Sequence, residues 1–388
     1  MPDGATVSIQ AAATDLDMGP LKGKVEGKNT GKNILVRSLS GIGEAGVLLL
    51  GRGSLAKFSM AQDRADVIPV LKQILSINPK IKILASPWSA PAWMKANDKL
   101  KDGHLKPEYY DAYANYLVKY VEAMKDEHVM LDTITVENEP LNPKNMPSMV
   151  VFAPEEREFV GKHLGPAFQK KNIATKILLY DHNPDVLSYP LSILADPEAS
   201  KCVDGTAFHL YGGDASTFTS VHDQYPNKNL YMTEQDMSGG SDGPLAIAEA
   251  VRRVPIGAVR NWSLNVLSWN LAADPNLGPH TNDGGCTTCI GAITLAGNRI
   301  TRNLAYYAVA HFSKFVAPGS VRIASSEAEQ LATAAFLTPN QNVVLMVSNT
   351  ANFEKTFSVR YHGLSFTTTL AAESAASYLW QLESRSVK

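Results

Sequence analysis

Apolar positions change period along the chain, and the changes divide it. From about residue 60 onward, stretches with apolar residues at helical spacing alternate with short, continuous apolar runs, the rhythm of repeated β-α units around a parallel sheet. Asp63 to Asn78 places Val67, Ile68, Leu71, Ile74 and Leu75 on one helical face; Pro79 closes it, and IKILASPW follows as a buried strand. Pro107 opens a second helix with Tyr113, Tyr116, Leu117, Tyr120, Val121 and Met124 on its apolar side, and the strand LDTITV comes next. A helix from Pro154 carries Phe159, Leu164 and Phe168 and leads to strand KILLYD, a short helix near Leu187 to Leu194, and strands GTAFHLY and NLYMTE. A helix from Pro244 to Arg253, strand NVLSWN and an amphipathic helix through Leu304, Tyr307, Ala308, His311, Phe312 and Phe315 complete the series. Six core strands are thus expected between residues 81 and 270.

Beyond Pro318 the period becomes two. VRIAS, LATAAFLT, NVVLMVSN, KTFSVRY, FTTTLA and SYLWQL are short, rich in β-branched and aromatic residues, and separated by turn residues, as in an antiparallel sandwich. Near the front, the strand candidates NILVRS and GVLLLG are separated only by SLSGIGEA, whereas a parallel crossover needs about a dozen residues. The expected fold class is therefore α/β: a barrel of parallel strands with an appended antiparallel β domain that begins near Pro318.

The chain has 388 residues, too many for one ordinary core, and its 36 Lys+Arg against 38 Asp+Glu leave a net charge of -2. Without a basic block, nucleic acid is not an expected partner. No apolar run approaches the roughly 20 residues of a membrane span, and MPDGATVSIQ lacks the features of a secretory signal. Cys202, Cys286 and Cys289 are too few for a disulfide framework. Cys286-x-x-Cys289 has only His280 as a nearby further ligand, so it reads as a loop disulfide or two free thiols rather than a metal site. No Gly-rich phosphate loop precedes a helix, and no cofactor is expected.

Under the barrel reading, chemistry belongs at the carboxyl ends of the strands, where Trp88, Glu139, Asp181, His209, Glu234 and Trp269 fall. Glu139 in Asn138-Glu139-Pro140 and Glu234 in Thr233-Glu234-Gln235 each read, taken singly, as loop or helix-terminus residues. As a pair they match glycoside hydrolysis, which needs two carboxyl groups across one pocket, about 5 to 5.5 Å apart if configuration is retained. Trp88, Trp93, His209, Tyr211 and Trp269 add the flat apolar and hydrogen-bonding groups that grip sugar rings. Core packing is the other reading of such aromatics, and for Trp93 the two are balanced. Glu137 shares a strand face with Glu139 and rivals it on periodicity. Asp181-His182, with Asp185 nearby, suggests a metal or a base, against the plainer reading of loop hydrogen bonding.

The motifs ASPWSAPAWMK at 85–95, TVENEPL at 135–141, YDHNPD at 180–185, DGTAFHLYGG at 204–213, NLYMTEQ at 229–235 and VLSWNLAADPNLGP at 266–279 resemble glycoside hydrolase family 30, the group of glucosylceramidases and endo-β-1,6-glucanases. The resemblance implies a (β/α)8 TIM barrel over 58–317, its first strands missing or irregular, a C-terminal antiparallel β-sandwich over 318–388, residues 1–57 as an atypical N-terminal segment, and hydrolysis with retention through a glycosyl-enzyme intermediate. It implies Glu139 as general acid/base, Glu234 as nucleophile, and Asn138 as donor to the sugar 2-hydroxyl. Trp88, His209, Tyr211 and Trp269 would surround the sugar in the cleaving subsite. Glu137 stands where the family commonly has Gln and becomes a residue behind the pair. A β-glucoside or β-glucan substrate, no metal, and a secreted, extracellular or lysosome-like location are implied as well. Residues 1–57 lack the family's Gly-rich first strand and Arg-Ile-Pro second strand, and the alternative is an inactive or carbohydrate-binding relic with an incomplete barrel. An acid must keep its proton near neutral pH, so Glu139 is expected to have a raised pKa from an apolar wall and the charge of Glu234. Glu234 must stay ionised, helped by donors such as Tyr211.

Overall fold

The computed structural model describes residues 6–11, 55, 58–238 and 245–381; NILVRS and GVLLLG lie outside these. Strand β1 (Thr6–Ala11) belongs to the C-terminal part of the fold. Strands β2 (Ile83–Ala85), β3 (Leu131–Thr135), β4 (Lys176–His182), β5 (Gly205–His209), β6 (Asn229–Glu234) and β7 (Ser263–Val266) form one six-stranded sheet in sequence order. All of its neighbours run parallel. These are the six strands that the apolar runs predict.

Continuous apolar runs suit strands covered on both faces, and the side chains divide with period two. Ile83, Ala85, Ile177, Leu179, Leu230 and Met232 join the main core under the helices, whereas Leu84, Leu178, Ala207 and Tyr231 form a separate buried cluster on the other face. Within the helix Tyr110–Asp126, Tyr113, Leu117, Tyr120, Val121 and Met124 are buried, as their spacing predicts. Each large apolar side chain so placed contributes about 1.5 to 3 kcal/mol. Two helices pass through a π turn, at Phe159–Leu164 before Pro166 and at Arg252–Ile256 around Pro255. Proline lacks an N–H and crowds the carbonyl four residues back, so the turn widens instead of breaking. The second of these helical stretches begins at Ile247 and runs to Arg260, later at both ends than the spacing suggests. The helix Leu304–Ser313 packs through the small residues Ala305 and Ala308, which turns Tyr307 outward, half exposed, contrary to its expected place on the apolar face.

Strands β8 (Ala272–Ala273), β9 (Ile293–Ala296) and β10 (Arg299–Arg302) make a small sheet that the apolar pattern does not announce. Its hairpin turns at Gly297-Asn298, with Gly297 at φ 58°, a conformation that glycine adopts without steric cost. Strands β11 (Val321–Ser325), β12 (Leu331–Leu337), β13 (Asn342–Asn349), β14 (Lys355–Tyr361), β15 (Leu364–Leu370) and β16 (Ser374–Gln381) follow. They combine with β1 in the order β15-β14-β1-β11-β12-β13-β16. The strands of 318–388 pair antiparallel as expected, and β1 from the front of the chain joins them, antiparallel to β14 and parallel to β11. Leu331, Val343, Leu345 and Val347 from one end of this sheet share a core with Phe357, Val359 and Tyr361 from the other, so the sheet folds over itself as a sandwich. The alternate residues Ala334, Phe336, Val344 and Met346 enter the core of the barrel. Both faces of β12 and β13 are therefore buried, and the sandwich is fused to the barrel. Among the described residues no helix is long and apolar enough to cross a membrane.

Candidate active site

The carboxyl ends of β2 to β6 converge on one buried polar group. Glu234 is the last residue of β6 and His209 the last of β5, while Asp181 precedes the final residue of β4. Glu139 lies four residues past β3, at φ 49°, and its backbone N–H is held by the carbonyl of Asp181 at 3.0 Å. That carbonyl is free to accept because β4 bulges: Tyr180 and Asp181 have φ values of 72° and 51°, and the register with β5 shifts there. The displaced N–H of Tyr180 finds Glu156 Oε1 at 3.1 Å.

Each carboxylate has its own partners. Glu139 Oε2 accepts from Asn142 Nδ2 at 2.7 Å and Asn145 Nδ2 at 2.9 Å, and its Oε1 lies 3.0 Å from His209 Nδ1. Glu234 Oε1 accepts from the Tyr211 hydroxyl at 3.1 Å and lies 3.9 Å from His209 Nδ1. One oxygen of Glu139, one of Glu234 and a nitrogen of His209 all lie within 4.8 Å of one another. Such a trio has the composition of a metal site. Here, however, both nitrogens of His209 are engaged, since Nε2 lies 3.1 Å from Asp181 Oδ1, and the arrangement is a hydrogen-bonded chain.

The expected residues divide into two sets. Trp88 and Trp269 stand together, half-buried, with ring centroids 5.7 Å apart and planes tilted by 33°. Tyr211 remains partly open to solvent, and Asn138 is buried beside Glu139. His209, expected to contact a sugar, has no exposed surface and instead bridges two carboxylates. Trp93 resolves as core, edge-on to Tyr109 at 5.0 Å. Glu137 is buried and outside the trio; burial lifts its carboxyl well above the usual range, against the opposing charge of Lys95. Lys95 is fully buried and donates to Ser89 Oγ and to the carbonyls of Leu100 and Ser148. Cys286 and Cys289 form a disulfide.

Asn142, Asn145, Ser86, Thr135 and Thr233 did not emerge from the sequence as site residues. The two asparagines sit in the loop just after Glu139, within reach of its side chain. Ser86, Thr135 and Thr233 are polar positions in or next to otherwise apolar strands, and buried polar groups require partners.

The expectation of a raised Glu139 pKa is overturned. Burial pushes it up, but the hydrogen bond from His209, the charges of His209 and His182, and the Asn142 amide hold it down to about 2. His209 moves the other way: burial opposes its charge, and the carboxylates of Asp181 and Glu139 outweigh burial and raise it. Glu156 is lifted by burial to about 7.

These shifts predict a pH dependence of stability. The contribution of Glu139 is present above its ordinary 4.5 and fades as pH falls towards about 2. Glu156 binds a proton more tightly in the folded chain, so its contribution is present below 4.5 and is lost as pH rises to about 7. His209 adds stability below its ordinary 6.5 that is likewise lost on the alkaline side. Thermal melting followed from pH 3 to 8 should peak in the mildly acidic range and decline towards neutrality; a maximum above pH 7 would contradict the assignment.

Comparison with known proteins agrees with this architecture. The glycosyl hydrolase family 30 TIM-barrel domain matches residues 52–316, and the family's beta sandwich domain matches residues 319–378. An endo-1,6-beta-D-glucanase of Aspergillus fumigatus is 34% identical over 69% of this chain and 57% of its own length. The lysosomal acid glucosylceramidase of Mus musculus is 29% identical over 84% of the chain and 68% of its own. The solved structure of an endo-beta1,6-glucanase superposes with a TM-score of 0.80 at 33% identity, covering 85% of this chain and 78% of that one. The match spans less than two thirds of the fungal glucanases, 57% to 63% of their length. The chain belongs to glycosyl hydrolase family 30.

Proposed function

We propose that the protein is a retaining β-glycosidase in which Glu234 attacks the anomeric carbon and Glu139 serves as acid and then as base. The observation that carries this reading is the closeness of the carboxylates, one oxygen of Glu139 lying within 4.8 Å of one oxygen of Glu234. Inverting enzymes hold the two groups about 6.5 to 9.5 Å apart to admit a water between them, whereas direct attack needs the shorter separation. The Tyr211 hydroxyl stabilises charge on Glu234 and aims its Oε1. In this reading the Trp88–Trp269 pair is a tilted aromatic wall for a sugar ring, and Asn138, buried next to Glu139, donates to the 2-hydroxyl, a bond that strengthens as positive charge develops at the anomeric carbon.

The substrate class in this reading is a β-glucoside, either a β-1,6-glucan or a glucosylceramide-type glycoside, drawn from the names of the relatives and structural neighbours above. A secreted or lysosome-like location belongs to the same proposal and is supported by the Cys286–Cys289 disulfide, a bond that persists in oxidising compartments. The test is the configuration of the first-formed product. Proton NMR during hydrolysis of an aryl β-glucoside or pustulan should show the β-anomer before mutarotation; the α-anomer appearing first would overturn the reading.

A further inference from the structure

Asp181 was singled out by its motif, yet the two-carboxylate mechanism gives it no task. It is fully buried at the β4 bulge, and three groups from three other strand ends converge on its carboxylate. His209 Nε2 lies 3.1 Å from Oδ1, the Thr233 hydroxyl donates to Oδ1 at 2.6 Å, and the Ser86 hydroxyl donates to Oδ2 at 2.6 Å. Ser86 in turn accepts from Thr135 at 2.6 Å. The other end of the imidazole reaches Glu139, with 3.0 Å between Nδ1 and Oε1.

We propose that Asp181 is a positioning residue for the acid step: by requiring an N–H at His209 Nε2, it confines one mobile proton to the space between His209 Nδ1 and Glu139 Oε1. This deepens the glycosidase reading and rests on it. With Nε2 committed to Asp181, the pair has two forms. In one, imidazolium faces Glu139 carboxylate; in the other, neutral imidazole accepts from the Glu139 carboxylic acid. The two asparagine amides, donating to Glu139 Oε2, favour the first form before substrate arrives. When a glycosidic oxygen approaches Glu139, the Nδ1 proton passes to Oε1 and then to that oxygen. The C–O bond to the leaving group breaks while Glu234 forms the glycosyl ester. In the second half, Glu139 takes a proton from the attacking water, the ester bond breaks, and the proton returns to Nδ1. Protons balance over the cycle without a further donor. Facing His209 are Asp181, Glu139, Glu234, Tyr211 and His182, the last with its ring centroid at 6.4 Å.

Asp181→Asn tests the assignment, because its amide can offer an N–H to Nε2 and move the remaining imidazole proton to Nδ1 with Glu139 ionised. The substrates are methyl β-glucoside, whose leaving group needs a proton, and 2,4-dinitrophenyl β-glucoside, whose leaving group does not. The expected result is a loss in kcat/KM of about 100-fold or more on the first and under about 3-fold on the second, with the acidic limb of the pH profile displaced. Ionised Glu139 remains available as base, so the second half-reaction proceeds. Equal losses on both substrates, or none on either, would overturn the proposal. Should Asp181→Asn fail to fold, Ser86→Ala, which removes one hydrogen bond from Asp181, must show the same selectivity at about 10-fold, and its absence counts against the proposal equally. A wild-type protein that turns over neither substrate would instead bring down the glycosidase reading, and this step with it.

Discussion

Replacing Glu234 with glutamine is expected to lower kcat/KM on p-nitrophenyl β-glucoside and on pustulan by about 10⁴-fold or more, with the fold intact. Glutamine matches the shape of glutamate and keeps a carbonyl oxygen for the Tyr211 hydroxyl, now 3.1 Å from Oε1. In the proposed reaction, what disappears is the negative oxygen that would form the bond to the anomeric carbon. At about 1.4 kcal/mol per decade, the loss corresponds to more than 5 kcal/mol of transition-state stabilisation, far beyond what one neutral hydrogen bond supplies. The melting temperature should fall by no more than a few degrees, since the substitution removes a buried charge rather than exposing one. A mechanism-based fluoroglucoside should label Glu234 of the wild type and leave the variant unlabelled. Turnover equal to wild type, or a label on another residue, would refute the nucleophile assignment.

The difference between what the sequence reveals and what it conceals has a physical basis. Apolar runs such as KILLYD and NLYMTE are dictated by burial on both faces, so periodicity alone places β4 and β6, and with them the ends that carry Asp181 and Glu234. Alternation in NVVLMVSN likewise marks a strand between two cores, and the structure sends Val343, Leu345 and Val347 to one and Val344 and Met346 to the other. Local pattern does not contain the bulge at Tyr180–Asp181, because positive φ at two non-glycine residues is imposed by tertiary contacts. Without that bulge the hydrogen bonds that join His209 to Asp181 and Glu139 stay hidden, and an aromatic histidine at a strand end is read as a sugar contact. Nor does periodicity report electrostatics: an apolar wall and the Glu234 charge argue for a raised Glu139 carboxyl, whereas burial, which does raise it, is outweighed by His209, His182 and the Asn142 amide, which pull it down to about 2. Partner identity decides the sign of such a shift, and partners come from distant segments. The parallel pairing of Thr6–Ala11 with Val321–Ser325 is hidden for the same reason, since the two strands lie at opposite ends of the chain.

Replacing Glu139 with glutamine should give a different kinetic signature, separable from the loss of Glu234 and from Asp181→Asn. On methyl β-glucoside, whose leaving group must be protonated, kcat/KM is expected to fall by about 10² to 10⁴-fold, the usual contribution of a positioned general acid. On 2,4-dinitrophenyl β-glucoside the first step needs no acid, so kcat/KM should hold within about 10-fold. The second step still needs a base for water. Glycosyl-enzyme should therefore accumulate, visible as a burst of dinitrophenolate followed by slow turnover, and kcat should drop although kcat/KM does not. Azide, a nucleophile that requires no base, should restore kcat and yield the β-glucosyl azide, the anomer that double displacement at Glu234 dictates. Asp181→Asn is expected to give no burst, since under the proposed mechanism ionised Glu139 would still activate water there. The amide at position 139 can keep a carbonyl towards His209 Nδ1, 3.0 Å from the present Oε1, so the fold has no reason to change. A Glu139→Gln protein that hydrolyses methyl β-glucoside at the wild-type rate, or that azide fails to rescue while the burst is present, would transfer the acid/base role away from this residue.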